Sequence, residues 1–382
     1  MRKMKLGAAL MVLMLGGVFG QAQARECHEE SSGCCFDFDV GVDFLYWKPC
    51  VDDLDFAAKV SGNIEDVDRP LLVSYKSICP DWEPGFRITL SRENAWKCFG
   101  LSLAYTWFES GDSGSARADN GERIAPTLVP PTFVNLKNVG FPNENSFFDS
   151  GRGKWEMEYQ TFDILLSYQL AFGSCHTLTP FFGVQVVKLD QEIKGKYEDT
   201  LVGTFEEGPL SDLSVTTIDS KWKSDYTGAG LKLGTSYTYA LCGDFKLFAS
   251  AAASLVIGDS DTSSQFSFRQ TTFEESTRED YMHVKDDDCC HILPGCHLQL
   301  GLAYDGNSCG CDWTFKLGYE FVAWTNVPTY RRFQESADVL QPGGLMSPRQ
   351  ISGSEAQIAQ SNLVNNGTIG FHGLTVGLNV GF

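Results

Sequence analysis

FDFDVGVDFLYWK, residues 36–48, sets Phe36, Phe38, Val40, Val42, Phe44 and Tyr46 against Asp37, Asp39, Gly41 and Asp43 with a period of two. A helix would scatter these side chains around its surface, whereas a strand sends alternate residues to opposite faces. One face of the segment suits an apolar solvent and the other suits water.

The same pattern recurs along the chain at 85–90, 99–107, 156–170, 179–189, 229–239, 245–257, 292–304, 312–324 and 374–382. Segments of roughly 9 to 13 residues with apolar or aromatic side chains on one face carry the signature of outer-membrane strands. No segment has the 18 consecutive apolar residues of a spanning helix after the first twenty or so positions. The load of 27 Phe, 13 Tyr and 8 Trp with 38 Gly suits strands and tight turns. The expected fold is all-β, a transmembrane antiparallel β-barrel of ten strands. Twelve is the alternative, because LDFAAKV (54–60), LLVSYKS (71–77) and SSQFSFRQTTF (263–273) read as extra strands or as hairpin extensions above the membrane. A soluble sandwich would also alternate, but segment length and the two chain ends favour the barrel.

At the N-terminus, Arg2, Lys3 and Lys5 precede an apolar run from Leu6 to Phe19 and the small-x-small sequence Ala22-Gln23-Ala24. This predicts a signal peptide over 1–24, cleaved after Ala24, and export to the bacterial outer membrane. A periplasmic cysteine-containing segment (25–35) and the barrel (36–382) follow. The chain closes on LTVGLNVGF, a strand ending in Phe382, which resembles the terminal signal of bacterial outer-membrane barrels. A formal charge of -19 argues against nucleic acid as a partner, since phosphate contacts need the opposite sign.

The connections fall into two kinds. RENAWK (92–97), AFGSCHT (171–177), LCGD (241–244) and DGNSCGC (305–311) are short, whereas the intervening connections are long and rich in charge, Gly, Pro and Asn. Short periplasmic turns and long extracellular loops are expected of such a barrel. Trp47, Trp82, Trp107, Trp155, Trp222 and Trp324 fall towards the long loops and Trp96 and Trp313 beside short turns, as two interfacial girdles would require. Alternation places Asp39, Asp43, Arg87, Asp163, Lys232, Lys246, Lys316 and Glu320 on the inward face, which makes them the candidate pore lining. Charged groups of both signs there leave open whether the lumen conducts or is plugged by ion pairs.

Other chemistry is weaker. His283, Asp286, Asp287, Asp288 and His291 in YMHVKDDDCCH lack a partner set that sequence can place, so no enzyme is expected. In CCHILPGCH (289–297), alternation sends Cys296 to the apolar face and His291 and His297 inward, so one strand cannot offer them all to a tetrahedral ion. Neither a phosphate-binding nor a dinucleotide motif is present, and no metal or other cofactor is expected.

Of the 13 cysteines, Cys27, Cys34 and Cys35 precede the barrel, and Cys98, Cys175, Cys242, Cys309 and Cys311 occupy the short turns. Those eight face an oxidising compartment. Cys50 and Cys79 share the first outer loop and are candidates to pair, while Cys289 and Cys290 are placed in another outer loop. The four turns sit too far apart to bridge to one another, and an odd total leaves at least one thiol for another chain. Disulfides to envelope proteins, or to the N-terminal segment of the same chain, are the two expectations.

DFLYWKPCVDDLDFA (43–57) followed by WEPGFRITLS (82–91) resembles the pore-forming major outer membrane protein family of Legionella and chlamydia-like bacteria. That resemblance implies a porin passing small hydrophilic solutes by passive diffusion, in an outer membrane stiffened by disulfides. The alternative is a structural or adhesive surface barrel with little pore activity. Expected partners are outer-membrane lipid, cysteine-containing envelope proteins, further copies of the chain and host-cell ligands of the loops.

Overall fold

The computed structural model describes residues 23–24, 38–61, 72–96, 99–119, 121–130, 147–203, 212–241, 243–271, 277–308, 311–332 and 363–382. Their strands are β1 (Gln23–Ala24), β2 (Asp39–Val51), β3 (Asp55–Ser61), β4 (Leu72–Ser77), β5 (Glu83–Trp96), β6 (Phe99–Arg117), β7 (Glu122–Pro126), β8 (Ser150–Tyr168), β9 (Leu170–Phe172), β10 (His176–Gly203), β11 (Asp212–Ala240), β12 (Phe245–Thr271), β13 (Thr277–Ser308), β14 (Cys311–Arg332) and β15 (Leu363–Gly381). Ten of these, β2, β5, β6, β8 and β10 to β15, pair antiparallel with both neighbours and close into a ring. The ring shuts where β15 meets β2, with Leu374 opposite Tyr46 and Gly381 opposite Asp39. The short β9 pairs with the start of β10, and β1 pairs with β9.

Ten spanning strands agree with the alternation, and the lipid belt lies where the sequence places it. Val42, Phe44, Phe86, Ile88, Phe162, Ile164, Val184, Leu231, Leu233, Leu255, Leu300 and Leu317 all point outward and are exposed, Leu231 by 67%. Short hairpins join strands at one end, helped by Gly173 and Gly243, whose φ angles of 66° and 64° are the left-handed values a tight reversal needs.

Above the belt the fold departs from expectation. The long connections after the fifth and seventh segments are mostly strand: β10 and β11 pair from His176–Tyr239 as far as Gly203–Asp212, and β12 and β13 as far as Thr271–Thr277. SSQFSFRQTTF therefore belongs to a hairpin extension as far as Thr271. Period two persists there, but its polarity inverts. In β10, Phe182, Val184 and Val186 face outward around an inward Gln185, whereas higher up Val187, Leu189, Ile193 and Tyr197 are buried inside. Lys194 and Lys196 there point out. Once the outward face leaves lipid it must be polar, and the inward face becomes apolar because protein fills the interior.

That protein is a second sheet of three strands, in the order β4-β3-β7, built from the first and second long connections. LDFAAKV and LLVSYKS are thus neither spans nor an extension of the barrel wall. Phe56, Ala57, Ile78 and Ile124 join one buried cluster with Trp155, Tyr197, Trp222, Phe266 and Phe268 of the wall. Burying this apolar surface inside the barrel mouth holds the inserted sheet in place.

Leu231→Arg, which puts a cation at mid-belt, is expected to cost about 2–4 kcal/mol of folding free energy in a urea titration in lipid vesicles. Ser113→Arg, on the outward face above the belt, is expected to change it by less than about 0.5 kcal/mol.

Candidate functional site: the barrel lumen

Inside the belt, the candidate lining residues form a layer of ion pairs across the barrel. Arg87 on β5 reaches Glu320 on β14 through Nη2 to Oε1 at 2.6 Å and Nη1 to Oε2 at 3.3 Å. The same guanidinium stands 3.5 Å from Asp43 on β2, donates Nε–H to Thr106 Oγ1 at 3.1 Å and lies over the Trp47 ring. Glu320, fully buried, also accepts from Thr375 Oγ1 at 2.8 Å and contacts His297 Nε2. On the facing side Lys232 of β11 donates to Asp163 Oδ2 of β8 at 2.7 Å, with each side chain only 8% exposed.

Charges so deeply placed are stable only when paired and hydrogen-bonded. A bidentate guanidinium–carboxylate contact meets that need for Arg87 and Glu320. Lys246 pairs with Asp305 where β12 and β13 run towards their short turns, and Lys316 and Asp39 occupy the inward positions of β14 and β2. The structure thus brings Asp43, Arg87 and Glu320 together and joins Asp163 to Lys232. Thr106, Thr375 and Asp305 complete these contacts, and Gln185 stands opposite Asp163 across β8 and β10; none was singled out by sequence, although they share the inward parity.

Above the ion pairs the lumen is aromatic. Trp47, Trp155, Trp222 and Trp324, expected in an interfacial girdle, are instead buried inside the barrel. Each has the parity of an inward charge on its own strand: Trp47 follows Asp43, Trp155 precedes Asp163, Trp222 precedes Lys232 and Trp324 follows Glu320. Trp82 and Trp107 do reach the outer aromatic face, stacking on Tyr46 and Phe86. The inward indoles pack with Phe108, Tyr159 and Phe371, and Trp324 Nε1 donates to Tyr159 Oη at 3.1 Å.

The inserted sheet docks on this surface. Tyr197 Oη donates to the carbonyl of Phe56 at 2.5 Å and Trp222 Nε1 donates to the carbonyl of Leu128 at 2.8 Å. The Phe56 ring rests on Gly114 and Gly153, where a Cβ would come within 2.7 and 2.5 Å of it. Glu122 joins β7 to Lys59 on β3, and that bond holds its carboxyl down at about 2.

Cys50, Cys79, Cys175, Cys289, Cys290, Cys296 and Cys311 are free thiols, with Cys175 and Cys311 at short turns. Cys289 and Cys290 lie in β13 rather than in a loop, beside a register shift, with Cys290 at φ 76°. Cys27, Cys34, Cys35, Cys98, Cys242 and Cys309 lie outside the described residues, as does nearly all of the expected signal peptide. His283 and Asp286 to Asp288 belong to β13, where Asp288 contacts His291 Nδ1 at 3.1 Å. Among the described residues no group of three or more His, Cys, Asp or Glu side chains is placed to hold a metal ion.

Gly153→Leu is expected to drive Phe56 off the wall. Limited proteolysis should then cut within residues 54–61 and 72–78 at least about tenfold faster while the spanning strands stay protected, since cleavage follows the open population.

Three solved structures align with most of the chain at low similarity. The outer membrane protease OmpT of Escherichia coli is 10% identical, with 93% of this chain and 99% of that chain covered and a TM-score of 0.37. A Pseudomonas aeruginosa FadL homologue is 9% identical, with 91% and 90% covered and a TM-score of 0.22. A deletion mutant of the monoaromatic hydrocarbon channel TodX is 9% identical, with 90% and 89% covered and a TM-score of 0.23. No curated protein matches the chain. The family described as Legionella pneumophila major outer membrane protein precursor matches residues 34–382. A closed barrel with a lipid belt and a charged lumen, matched from its first strand to its last residue, belongs to the Legionella major outer membrane protein family and to the bacterial outer membrane.

Proposed function

We propose that the chain is a porin that passes small hydrophilic solutes by passive diffusion. The observation that carries this reading is the row of inward charges, Asp43, Arg87, Asp163, Lys232, Lys316 and Glu320, at the level of the lipid belt. A barrel serving only as an anchor would fill its centre at lower cost with apolar side chains, because buried ion pairs rarely outperform them. Polar lining is what a hydrated path requires. The role is passive, and turnover in protease or lipase assays of the purified barrel would argue against it.

A structural or adhesive surface barrel is the second reading. The inserted sheet favours it, as does the small cavity between the ion pairs, about 30 Å³. Either role is compatible with a disulfide-linked envelope, for which Cys175 and Cys311 at the short turns are suitable attachment points. Lipid surrounds the belt. Partner envelope proteins, further copies of the chain and host ligands belong to the same proposal.

In planar bilayers the refolded chain is expected to give stepwise ionic current, and liposomes carrying it to swell in small sugars. A barrel with neither property is the sealed surface protein. Envelopes run without reductant should show the chain in high-molecular-weight bands that collapse to monomer with reductant; monomer under both conditions sinks the cross-linking.

A further inference from the structure

Between the two sets of ion pairs, the 30 Å³ cavity is lined by Trp47, Arg87, Asp163, Gln185, Lys232 and neighbouring side chains. Asp163 and Gln185 face each other directly across the β8–β10 ladder, both more than nine-tenths buried. Asp163 Oδ2 is taken by Lys232, but Oδ1 has no protein partner, and neither does Gln185 Oε1 or Trp47 Nε1. Buried polar atoms in native proteins almost always have partners, and a polar cavity of this size has room for roughly one or two water molecules.

The lining chemistry selects among occupants. Arg87 is met by Glu320 and Asp43, and Lys232 by Asp163, so neither cation leaves a spare charge in the lining to trap a bare ion as a permanent resident. Two acceptors without donors, Asp163 Oδ1 and Gln185 Oε1, disfavour an anion as that permanent resident. Water, which both donates and accepts, is the occupant whose chemistry matches two acceptors and the Trp47 indole donor.

Resting on the porin reading above, we propose that this hydrated pocket, closed by the Lys232–Asp163 pair, is the selectivity filter of the pore. Its permeant class is water and small monovalent inorganic ions, and the balance of the pair sets which ion is preferred. Larger solutes cross only when the pair separates.

The test is the reversal potential of the full chain in planar bilayers under a potassium chloride gradient. Lys232→Met leaves Asp163 uncompensated and should shift the permeability ratio towards potassium on the order of tenfold, as expected for one charge within about 10 Å of the path. Asp163→Asn should shift it towards chloride by a similar factor, and the double variant should return close to the parent. Gln185→Leu dries the pocket without changing charge, so conductance should fall several-fold at unchanged selectivity. Heat-modifiable gel mobility confirms that each barrel is closed. Should a single charge variant not close, Gln185→Leu still decides: parental conductance in Gln185→Leu overturns the filter. Current in the parent with unshifted reversal potentials in the charge variants overturns the filter and leaves the porin. No current in the parent or any variant overturns both.

Discussion

In a hydrocarbon solvent every backbone N–H and C=O must find a partner within the protein, and a sheet can meet that demand only by leaving no edge. The pairing of β15 with β2, from Ile369–Val51 to Gly381–Asp39, is the contact that removes the last edge of this sheet. It joins residues from opposite ends of the chain, so the ring is complete only after all other strands have assembled. The outward leucines and phenylalanines then have one lipid-facing surface, and the inward charges have an enclosed space in which to meet.

Closure also explains how the ion pairs tolerate burial. Arg87 and Glu320 are 233 positions apart, and Lys232 and Asp163 are 69 apart. Neither pair would be worth ordering on a flexible chain, given the entropy and desolvation involved. Fixed on rigid strands, the side chains arrive already facing one another. The inserted sheet has the opposite dependence. It buries its apolar residues against a wall that exists only because the hairpins β10–β11 and β12–β13 extend well above the lipid, and the wall in turn needs that sheet to cover Trp155, Tyr197 and Phe268.

Much of this was legible in alternation. Parity along β2, β8, β11 and β14 places Asp43, Asp163, Lys232 and Glu320 inside, and ten segments of suitable length give the strand number. The same parity, followed upward, would have turned Trp47, Trp155, Trp222 and Trp324 inward, yet the expectation for tryptophan in a membrane protein pointed to the interface. The charge-rich stretches 190–200 and 218–226 read as loops because their outward lysines and glutamates mask the continuing period of two. Hydrophobicity by itself does not distinguish strands that face water from strands that face lipid; only the identity of the opposite face does.

The sequence by itself determined the period, the faces and the compartment, because backbone geometry forces alternate side chains apart and lipid demands an apolar belt. Which inward charge meets which, and what fills the barrel mouth, was decided by tertiary structure. Those contacts depend on strand register and ring closure, and on residues 54–61, 72–78 and 122–130 folding inward, none of which is a property of any one segment. The FDFDVGVDFLYWK stretch shows the division: its alternation announces a strand, but only the closed ring sets Asp43 beside Arg87 and Trp47 against Phe371.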